Sequence, residues 1–312
     1  MPGLVGSADP GRRREPAVAE ERITIERVTE VQHFHACEEV QKKAWGMDDI
    51  LVVPIHLLIT AQKNGGLVLG AFNEEGEMVG FLFGFLGATR TRAGDEKAPA
   101  RLRHCSHMMG IVPEYQAKGV GYQLKLRQAE HAHSQGLDLV TWTYDPLESL
   151  NANLNVCKLA VVCDTYLRDT YGEMTTALHV GLPSDRFQVE WWITSKRVEE
   201  RIEKGGVKLR LDEVMDHGAK QVNVATVGPD GFLWPSVYDL LTTSRDAVIE
   251  VPANFQSIKS ADMSLATEWR QHTREIFTHY FDAGYTMTEF ISELREGRRS
   301  SYYLLQQDFV IR

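Results

Sequence analysis

A short segment with two glycines is the part of this sequence best suited to hold a charged ligand. It reads Gln116-x-x-Gly119-x-Gly121 and follows an apolar stretch that ends at Val112. Glycines leave space for a ligand beside the backbone, and the free amides at the start of a helix carry partial positive charge. Such a turn can hold a pyrophosphate, but a tight strand-to-helix turn without any ligand would use the same glycines.

Two other residues could act as a general base near neutral pH. His107, on the predicted strand before the turn, has an imidazole whose ordinary pKa of about 6.5 suits that role. Glu190 lies among apolar neighbours, where loss of solvation would raise the pKa of its carboxyl group. The alternatives are a packed strand histidine and a glutamate held in a structural hydrogen bond.

The elements that must position these residues alternate between strand and helix. Apolar runs and turn residues predict strands at 23–28, 67–72, 78–86, 102–112, 137–144 and 187–194, and helices at 31–45, 119–135 and 153–166. This order favours an α/β sheet with crossover helices. Beyond a charged stretch at 196–212, strand-like runs and a long helix at 265–281 predict an α+β extension. We therefore expect a disordered tail (1–22), a main domain (23–195) and a C-terminal region (196–312) that completes or covers an acceptor site.

The order of these features resembles the coenzyme A motif of the GNAT acyltransferase superfamily. A strand ending in Val-Pro-x-Tyr is followed by Gln-x-x-Gly-x-Gly, an amphipathic helix and another strand, most specifically between residues 104 and 160. The resemblance extends over roughly 23–195 and implies a GNAT-like mixed twisted sheet flanked by helices. In that fold the strands at 102–112 and 137–144 would splay apart. The pantetheine arm of an acyl-CoA would lie in the wedge between them, with its pyrophosphate on the loop amides.

Further segments resemble predicted long-chain GNAT acyltransferases, some of which are linked to N-succinylation of amino acids. These segments are Trp142-Thr-Tyr-Asp-Pro-Leu147, Asn151-Ala-Asn153, Lys158-Leu-Ala160, Tyr171-Gly-Glu-Met174 and Glu190-Trp191-Trp192. The resemblance implies acyl-CoA contacts at Ile111, Val112, Gln116, Ala117, Lys118, Gly119, Val120, Gly121, Tyr122, Asn151 and Asn153. The two asparagines could instead cap a helix start.

The acid that protonates the departing thiolate is where this sequence departs from the family. Many members have a helix reading Asn-x-x-Ala-x-x-Leu-Tyr-x-Lys-x-Gly-Phe, whose Tyr is that acid. Aligned on Lys158, this sequence has Val156 at the position of Tyr and Ala160 at that of Gly. Tyr166 and Tyr171 are therefore the candidate acids, with a structural role as the alternative for each.

Two arginines are candidates for binding the acceptor. Arg270 and Arg274 stand four residues apart on the predicted helix at 265–281, so they share a face. No carboxylate lies three or four residues from either of them. We expect the pair to bind a carboxylate of the acceptor, with Trp192 as a third contact, and salt bridges to another segment are the alternative.

The sequence contains no motif for the other common kinds of enzyme chemistry. The histidines and cysteines at 104–107 and at 33–37 do not converge on a strand or a helix, so we expect no metal site. The sequence has no phosphate loop ending in Gly-Lys-Ser/Thr, no serine elbow and no long dinucleotide fingerprint. Kinase, hydrolase and dehydrogenase functions are therefore not expected.

The composition limits the possible partners and compartment. The chain has 312 residues, of which 43% are hydrophobic and 25% charged, and its formal net charge is −9. An acidic chain is poorly suited to phosphate backbones, so no nucleic-acid partner is expected. The longest apolar stretch, 50–61, is too short to span a membrane. Four irregularly spaced cysteines and a start without a secretory signal favour the cytoplasm.

We therefore expect a cytoplasmic N-acyltransferase that uses acetyl-CoA or another acyl-CoA. It would transfer an acetyl or succinyl group directly, within a ternary complex, to the amino group of a small molecule such as an amino acid. Because a lysine-type amine has a pKa of about 10.4, a base must first remove a proton. A noncatalytic CoA-binding regulatory protein and a protein-lysine acetyltransferase are the alternatives. Pairing at a sheet edge would permit a homodimer.

Overall fold

The computed structural model describes residues 21–89, 100–172 and 181–311. Of the predicted tail, residues 1–20 lie outside the described residues, as do Glu173 and Met174 of the motif that begins at Tyr171.

The last two residues assigned to the tail contact the body of the protein. The Tyr115 hydroxyl donates a hydrogen bond to the Glu21 carboxylate at 2.6 Å, and the Arg22 amide donates to the Glu74 carboxylate at 3.2 Å. The globular part of the chain therefore starts slightly earlier than the sequence predicts.

A seven-stranded mixed sheet forms the centre of the fold. Its strands are β1 (Thr24–Arg27), β2 (Leu67–Phe72), β3 (Met78–Thr89), β4 (Arg101–Ile111), β5 (Leu139–Tyr144), β6 (Tyr166–Leu167) and β7 (Arg186–Trp192). They lie in the order β1-β2-β3-β4-β5-β7-β6. Neighbouring strands are antiparallel except for β4 and β5, which are parallel. The predicted mixed sheet is confirmed, and its parallel pair requires a crossover connection.

Helices cover both faces of this sheet, as predicted. They are α1 (Val31–Trp45), α2 (Ile55–Lys63) and α3 (Val120–Ser134). On one face, which we call the front face, the ring of Trp45 lies 6.1 Å from that of Phe81 on β3. On the opposite, back face, a Cβ atom on Gly84 would meet Gln128 of α3. Because side chains alternate along a strand, α1 and α3 lie on opposite sides of the sheet.

The helix predicted at 153–166 is present, but it starts four residues earlier and ends at Lys158. The chain forms α4 (Ser149–Ala152), continues as a π-helical turn over Asn153–Lys158, and leaves the helix at Ala160, whose φ is +59°. The Arg201 guanidinium donates to two carbonyl groups of this turn. The same carbonyls also accept backbone amides, that of Val156 from Ala160 and that of Cys157 from Val207. A distant arginine and a distant amide therefore both contact the end of this helix.

The C-terminal region confirms the predicted α+β extension. Its helices are α5 (Lys196–Glu203), α6 (Leu211–Asp216), α7 (Phe255–Ala261) and α8 (Met263–Asp282), and its strands are β8 (Lys220–Gln221), β9 (Asn223–Val227), β10 (Leu233–Tyr238), β11 (Asp246–Val251), β12 (Tyr285–Arg295) and β13 (Arg298–Gln307). Strands β12, β13, β11 and β8 form one sheet, and β9 pairs with β10.

This region packs on the central sheet. One hydrophobic cluster joins Trp142 of β5 and Phe187 of β7 to Trp269 and Phe277 of α8 and to Tyr303 of β13. The rings of Phe187 and Phe277 lie 4.7 Å apart. The C-terminal region therefore covers the back face of β5 and β7, beside α3.

No single helix within the described residues combines the length and the apolar composition needed to cross a membrane. One pair of segments, Val31–Trp45 with Asp49–Lys63, reaches that length and composition together, but it is bent by 116°.

Candidate functional site

The two parallel strands pair over a very short distance. His104 pairs with Val140 and Cys105 with Thr141, although both strands continue well past these residues. Beyond Cys105 and Thr141 the strands no longer pair. We call the resulting gap between β4 and β5 the wedge.

A bulge in β4 lies where the wedge opens. Phe83 and Gly84 of β3 pair with Met108 and Ser106 of β4, so His107 is an extra residue without a partner. A bulge bends its strand and increases its twist. The bulge at His107 therefore explains why β4 diverges from β5 just beyond their last pair.

The turn after β4 presents a row of free amides. Pro113–Tyr115 form a 3-10 turn, Ala117 and Gly119 have φ angles of +60° and +84°, and α3 begins at Val120. Within the part of the chain that the structure describes, the amides of residues 117–122 donate to no backbone carbonyl. Left-handed residues in such a turn form an anion-binding concavity, and the helix start adds the positive end of its dipole. This turn can therefore accept a phosphate group.

The two glycines of the turn have different roles. A Cβ atom on Gly119 would meet no other atom within 4 Å, so this position is open, and its positive φ favours glycine. A Cβ atom on Gly121 would lie 3.2 Å from the side chains of Ile111 and Met109. Gly121 therefore lies close to β4, in contact range of two flexible side-chain ends, and the expectation that it makes room for a ligand stays a prediction.

The other residues of the turn differ in exposure. Val112 and Val120 are buried and anchor its two ends. Gln116 donates from Nε2 to the carbonyl that ends β4, at 3.0 Å, and the Lys118 ammonium lies over an aromatic ring of the preceding turn. The Tyr122 ring lies 5.9 Å from the ammonium of a lysine in the π-helical turn. Lys118 is the one lysine or arginine between Pro113 and Gly121.

The asparagines predicted to bind coenzyme or to cap a helix do not cap one. The N-cap of α4 is Glu148, whereas Asn151 is exposed inside α4 and Asn153 begins the π-helical turn. The Leu154 side chain lies 3.6 Å from the position of a Cβ atom on Gly121. The π-helical turn therefore borders the start of α3, which leaves coenzyme contact as the open role for Asn153.

His107 lies at the mouth of the wedge on the front face. Its ring is 5.7 Å from the ring of Phe83 and 5.8 Å from that of Phe85, and part of it reaches solvent. Desolvation lowers the pKa of His107 below its usual value. The imidazole is therefore neutral at pH 7 and able to accept a proton.

Glu190 lies on the same face, in register with Thr141 and, through it, with Cys105. Desolvation raises the pKa of its carboxyl group, while the Trp192 indole N–H donates to that carboxylate at 2.9 Å and opposes the rise. The guanidinium of Arg101 lies 4.5 Å above the Trp192 ring. The structure thus places both candidate bases and Trp192 on the front face, but Trp192 pairs with Leu139 and so lies on the closed side of the last β4–β5 pair, away from the wedge.

The two candidate acids have different surroundings. The Tyr166 hydroxyl donates to Asp185 at 2.7 Å on the edge strand β6, and burial raises its pKa. The Tyr171 hydroxyl lies 3.2 Å from the Thr143 hydroxyl, on the part of β5 that lines the wedge, and the Tyr171 side chain is half exposed. The geometry therefore favours Tyr171 as the acid and a structural role for Tyr166.

Both arginines predicted to bind the acceptor are paired within the chain. The Arg270 guanidinium makes two hydrogen bonds with Asp145, at 2.9 and 2.5 Å, and Arg274 makes two with Asp185, both at 2.7 Å. Burial acts to raise the pKa of Asp145, but Arg270, Arg186 and the Leu147 amide together hold the pKa of that carboxyl below its usual value. The structure favours the structural alternative for both, because Arg270 is only 2% exposed and already holds a carboxylate.

The sequence reasoning missed a buried polar cluster on the back face. Lys125 of α3 is 2% exposed and donates to Ser106 at 2.9 Å and to Gln128 at 3.2 Å. Burial lowers the pKa of Lys125 well below its usual value. A signal was present, because Lys125 and Gln128 follow Gly121 and Leu124 at helical spacing and so share the face that packs on β4.

Within the described residues, no three histidine, cysteine, aspartate or glutamate side chains are grouped so as to hold a metal ion. No model of a known protein family matches the sequence, and no curated protein matches it either.

Several solved structures are similar to part of the chain. The ribosomal-protein-S18-alanine N-acetyltransferase of Escherichia coli is 14% identical, with 54% of this chain and 92% of that chain covered and a TM-score of 0.39. A GNAT-family acetyltransferase of Streptococcus pneumoniae is 17% identical over 54% and 98% of the chains, with a TM-score of 0.40. NAA60 of Arabidopsis thaliana, solved with a bisubstrate analogue, is 10% identical over 55% and 100%, with a TM-score of 0.42. At these scores the similarities assign no activity to this chain.

Proposed function

We propose that this protein is an acyl-CoA-dependent N-acyltransferase that moves an acetyl or succinyl group to the amino group of a small molecule, for which an amino acid is the first candidate. The observation that carries the proposal is the position of the free-amide turn. It follows directly from β4, the strand that parts from β5 at the His107 bulge. A pyrophosphate on the turn would direct the rest of the coenzyme along the wedge.

The proposed reaction is direct attack of the amine on the thioester. A base removes one proton from the acceptor ammonium, the nitrogen forms a bond with the acyl carbon, and the carbon–sulfur bond breaks. The coenzyme leaves as a thiolate, which takes a proton from an acid. Acyl-CoA and amine thus yield an amide and free CoA, with one proton released to solvent.

The front face supplies side chains for both proton transfers. His107 is the proposed base because its neutral imidazole stands at the bulge, and Glu190 is the second candidate on the neighbouring strand. Tyr171 is the proposed acid because its hydroxyl reaches Thr143 at the border of the wedge. These assignments leave the acceptor to approach from the front face, opposite α3.

Binding of CoA to the turn is tested by reversing the charge of Lys118. Lys118→Glu places a carboxylate beside the free amides without changing a glycine or a buried residue, so CoA affinity measured by calorimetry is expected to fall about tenfold or more. Lys63→Glu is the matched control, since it makes the same charge change on an exposed residue at the end of α2. Equal affinities in both variants and the parent protein would place CoA elsewhere or exclude it.

Catalysis is tested by measuring free thiol release from acetyl-CoA and succinyl-CoA with pools of amines. Release that depends on an amino acid or another small amine supports the proposal. CoA binding without release would identify a noncatalytic CoA-binding regulatory protein, and release only with lysine peptides would identify a protein-lysine acetyltransferase. A cytoplasmic location and a homodimer, which the sequence favours, remain proposals for fractionation and light scattering to test.

A further inference from the structure

Lys125 crosses the closed end of the wedge from the back face. Ser106 and Trp142 are the first residues of β4 and β5 beyond the last pair of these strands, and we call this place the apex. The Lys125 Nζ atom is 2.9 Å from the Ser106 hydroxyl and 3.5 Å from the centre of the Trp142 ring. The amine therefore contacts both walls of the apex.

The apex has more hydrogen-bond donors than acceptors. Lys125 donates to Ser106 and to the Gln128 side-chain oxygen, which fixes the orientation of that amide and leaves its Nε2 donor without a partner. His104, which is fully buried, has no partner at either ring nitrogen within the described residues. Buried donors without acceptors are costly and rare, because each has lost its hydrogen bonds to water. A ligand rich in acceptor atoms would satisfy them.

The apex also lacks a negative charge. No carboxylate in the described part of the chain forms an ion pair with Lys125, and the ionisable side chains that interact with it electrostatically are His104 and Cys105. A buried amine is usually paired with an acid. An anion brought into the apex would supply the missing partner and favour the charged form of Lys125.

We propose that the apex is a subsite for the far end of the acyl group, and that this end carries a carboxylate. The inference rests on the proposed function, in which the acyl group of acyl-CoA enters the wedge. Lys125 binds the carboxylate as its counterion, and Gln128 and His104 donate the remaining hydrogen bonds. The preferred donor is then a short dicarboxylic monothioester rather than acetyl-CoA or a fatty acyl-CoA.

The test compares two acyl donors that differ at the far end of a four-carbon chain. Succinyl-CoA ends in a carboxylate and butyryl-CoA in a methyl group, so the ratio of their kcat/KM values isolates the proposed contact. We expect the parent protein to prefer succinyl-CoA by about 10- to 100-fold, the usual effect of a hydrogen bond to a charged group. No preference for succinyl-CoA would overturn the inference.

Lys125→Met keeps an unbranched side chain in the apex and removes the amine. We expect this variant to lose the preference for succinyl-CoA while retaining transfer from butyryl-CoA. Lys118→Met, which removes a lysine beside the coenzyme pyrophosphate instead, is expected to affect both donors equally. A preference for succinyl-CoA that survives in Lys125→Met overturns the inference.

This experiment distinguishes a failure of the apex subsite from a failure of the proposed acyltransferase function. If the parent protein transfers butyryl but not succinyl groups, the apex assignment is wrong and the acyltransferase proposal stands. If it transfers from neither, and from no other acyl-CoA, the proposed function itself is refuted. Should Lys125→Met fail to fold, the donor ratio of the parent protein alone still decides the inference.

Discussion

Replacing Arg270 with methionine tests whether this arginine anchors the C-terminal region or binds an acceptor. Methionine keeps much of the side-chain length and removes the guanidinium. The Asp145 carboxylate is 6% exposed and would then have Arg186, at 3.8 Å, and the more weakly interacting Lys259 as cations. We expect a large loss of stability. In the folded fraction, we expect acceptor KM values to change equally for amines with and without a carboxylate.

The size of the loss follows from the burial of the pair. Removing one partner of a buried ion pair costs about 3–5 kcal/mol, and the nearby Arg186 argues for the lower end, about 3 kcal/mol. In a chain of this size, 1 kcal/mol changes the melting temperature by about 2 °C, so a decrease of about 6 °C is expected. Arg274→Met is the matched control, one turn further along α8. Its side chain is 26% exposed, and its partner Asp185 keeps two other hydrogen bonds, so about 1–2 kcal/mol is expected.

Urea denaturation of Arg270→Met, Asp145→Asn and the double variant measures the coupling between the two residues. Each single change leaves the other member of the pair without its partner. The double variant should therefore lose at least about 1 kcal/mol less unfolding free energy than the two single variants lose in sum. Additive losses, or an Arg270→Met variant no less stable than Arg274→Met, would refute the anchoring role. An increase in KM confined to carboxylated amines, without a loss of stability, would restore Arg270 as an acceptor-binding residue.

Three further predictions concern single residues. Burial lowers the pKa of His104 to about 3, so the unfolded chain binds more protons between about pH 3 and 6.5. The free energy of unfolding should therefore rise with pH across that window, and His104 should contribute at most about 1.4 kcal/mol per pH unit. In urea titrations at several pH values, His104→Phe should show a smaller rise. Gly119→Ala should cost about 1 kcal/mol because of its positive φ, whereas Gly121→Ala should be close to neutral in the same titration, since only two flexible side-chain ends must move. His107→Ala should lower kcat by about 100-fold or more if His107 is the base, and a small effect beside an inactive Glu190→Gln would assign that role to Glu190.

The elements around the turn could be predicted because their signals are local. Pro113 ends the predicted strand one residue beyond β4, and Gly119 precedes the first residue of α3. Proline removes a ladder donor and glycine supplies the positive φ, so these residues fix the boundaries whatever the rest of the chain does. The turn with free amides was predictable for the same reason.

The pairings that complete the site could not be predicted, because they join residues far apart in sequence. Arg270 finds Asp145 across 125 positions, and Arg201 reaches the carbonyls of the π-helical turn across 44 and 45 positions. Helical spacing showed that Arg270 and Arg274 needed anions, but it did not show which ones. The burial of Lys125 could have been read from its spacing to Gly121 and Leu124, but the residue type argued against it, since lysines are mostly exposed.

These long-range pairs join the C-terminal region to the geometry of the wedge. Asp145 directly follows β5, and Asp185 directly precedes β7, which pairs with β5. Two arginines of α8 therefore hold the end of β5 at the point where it is no longer supported by β4. A strand that has lost one neighbour needs another source of rigidity to line a defined site, because unpaired strand segments open easily. The position of α8 thus gives the C-terminal region a physical role in shaping the wedge, through the pairs that Arg270 and Arg274 form with Asp145 and Asp185.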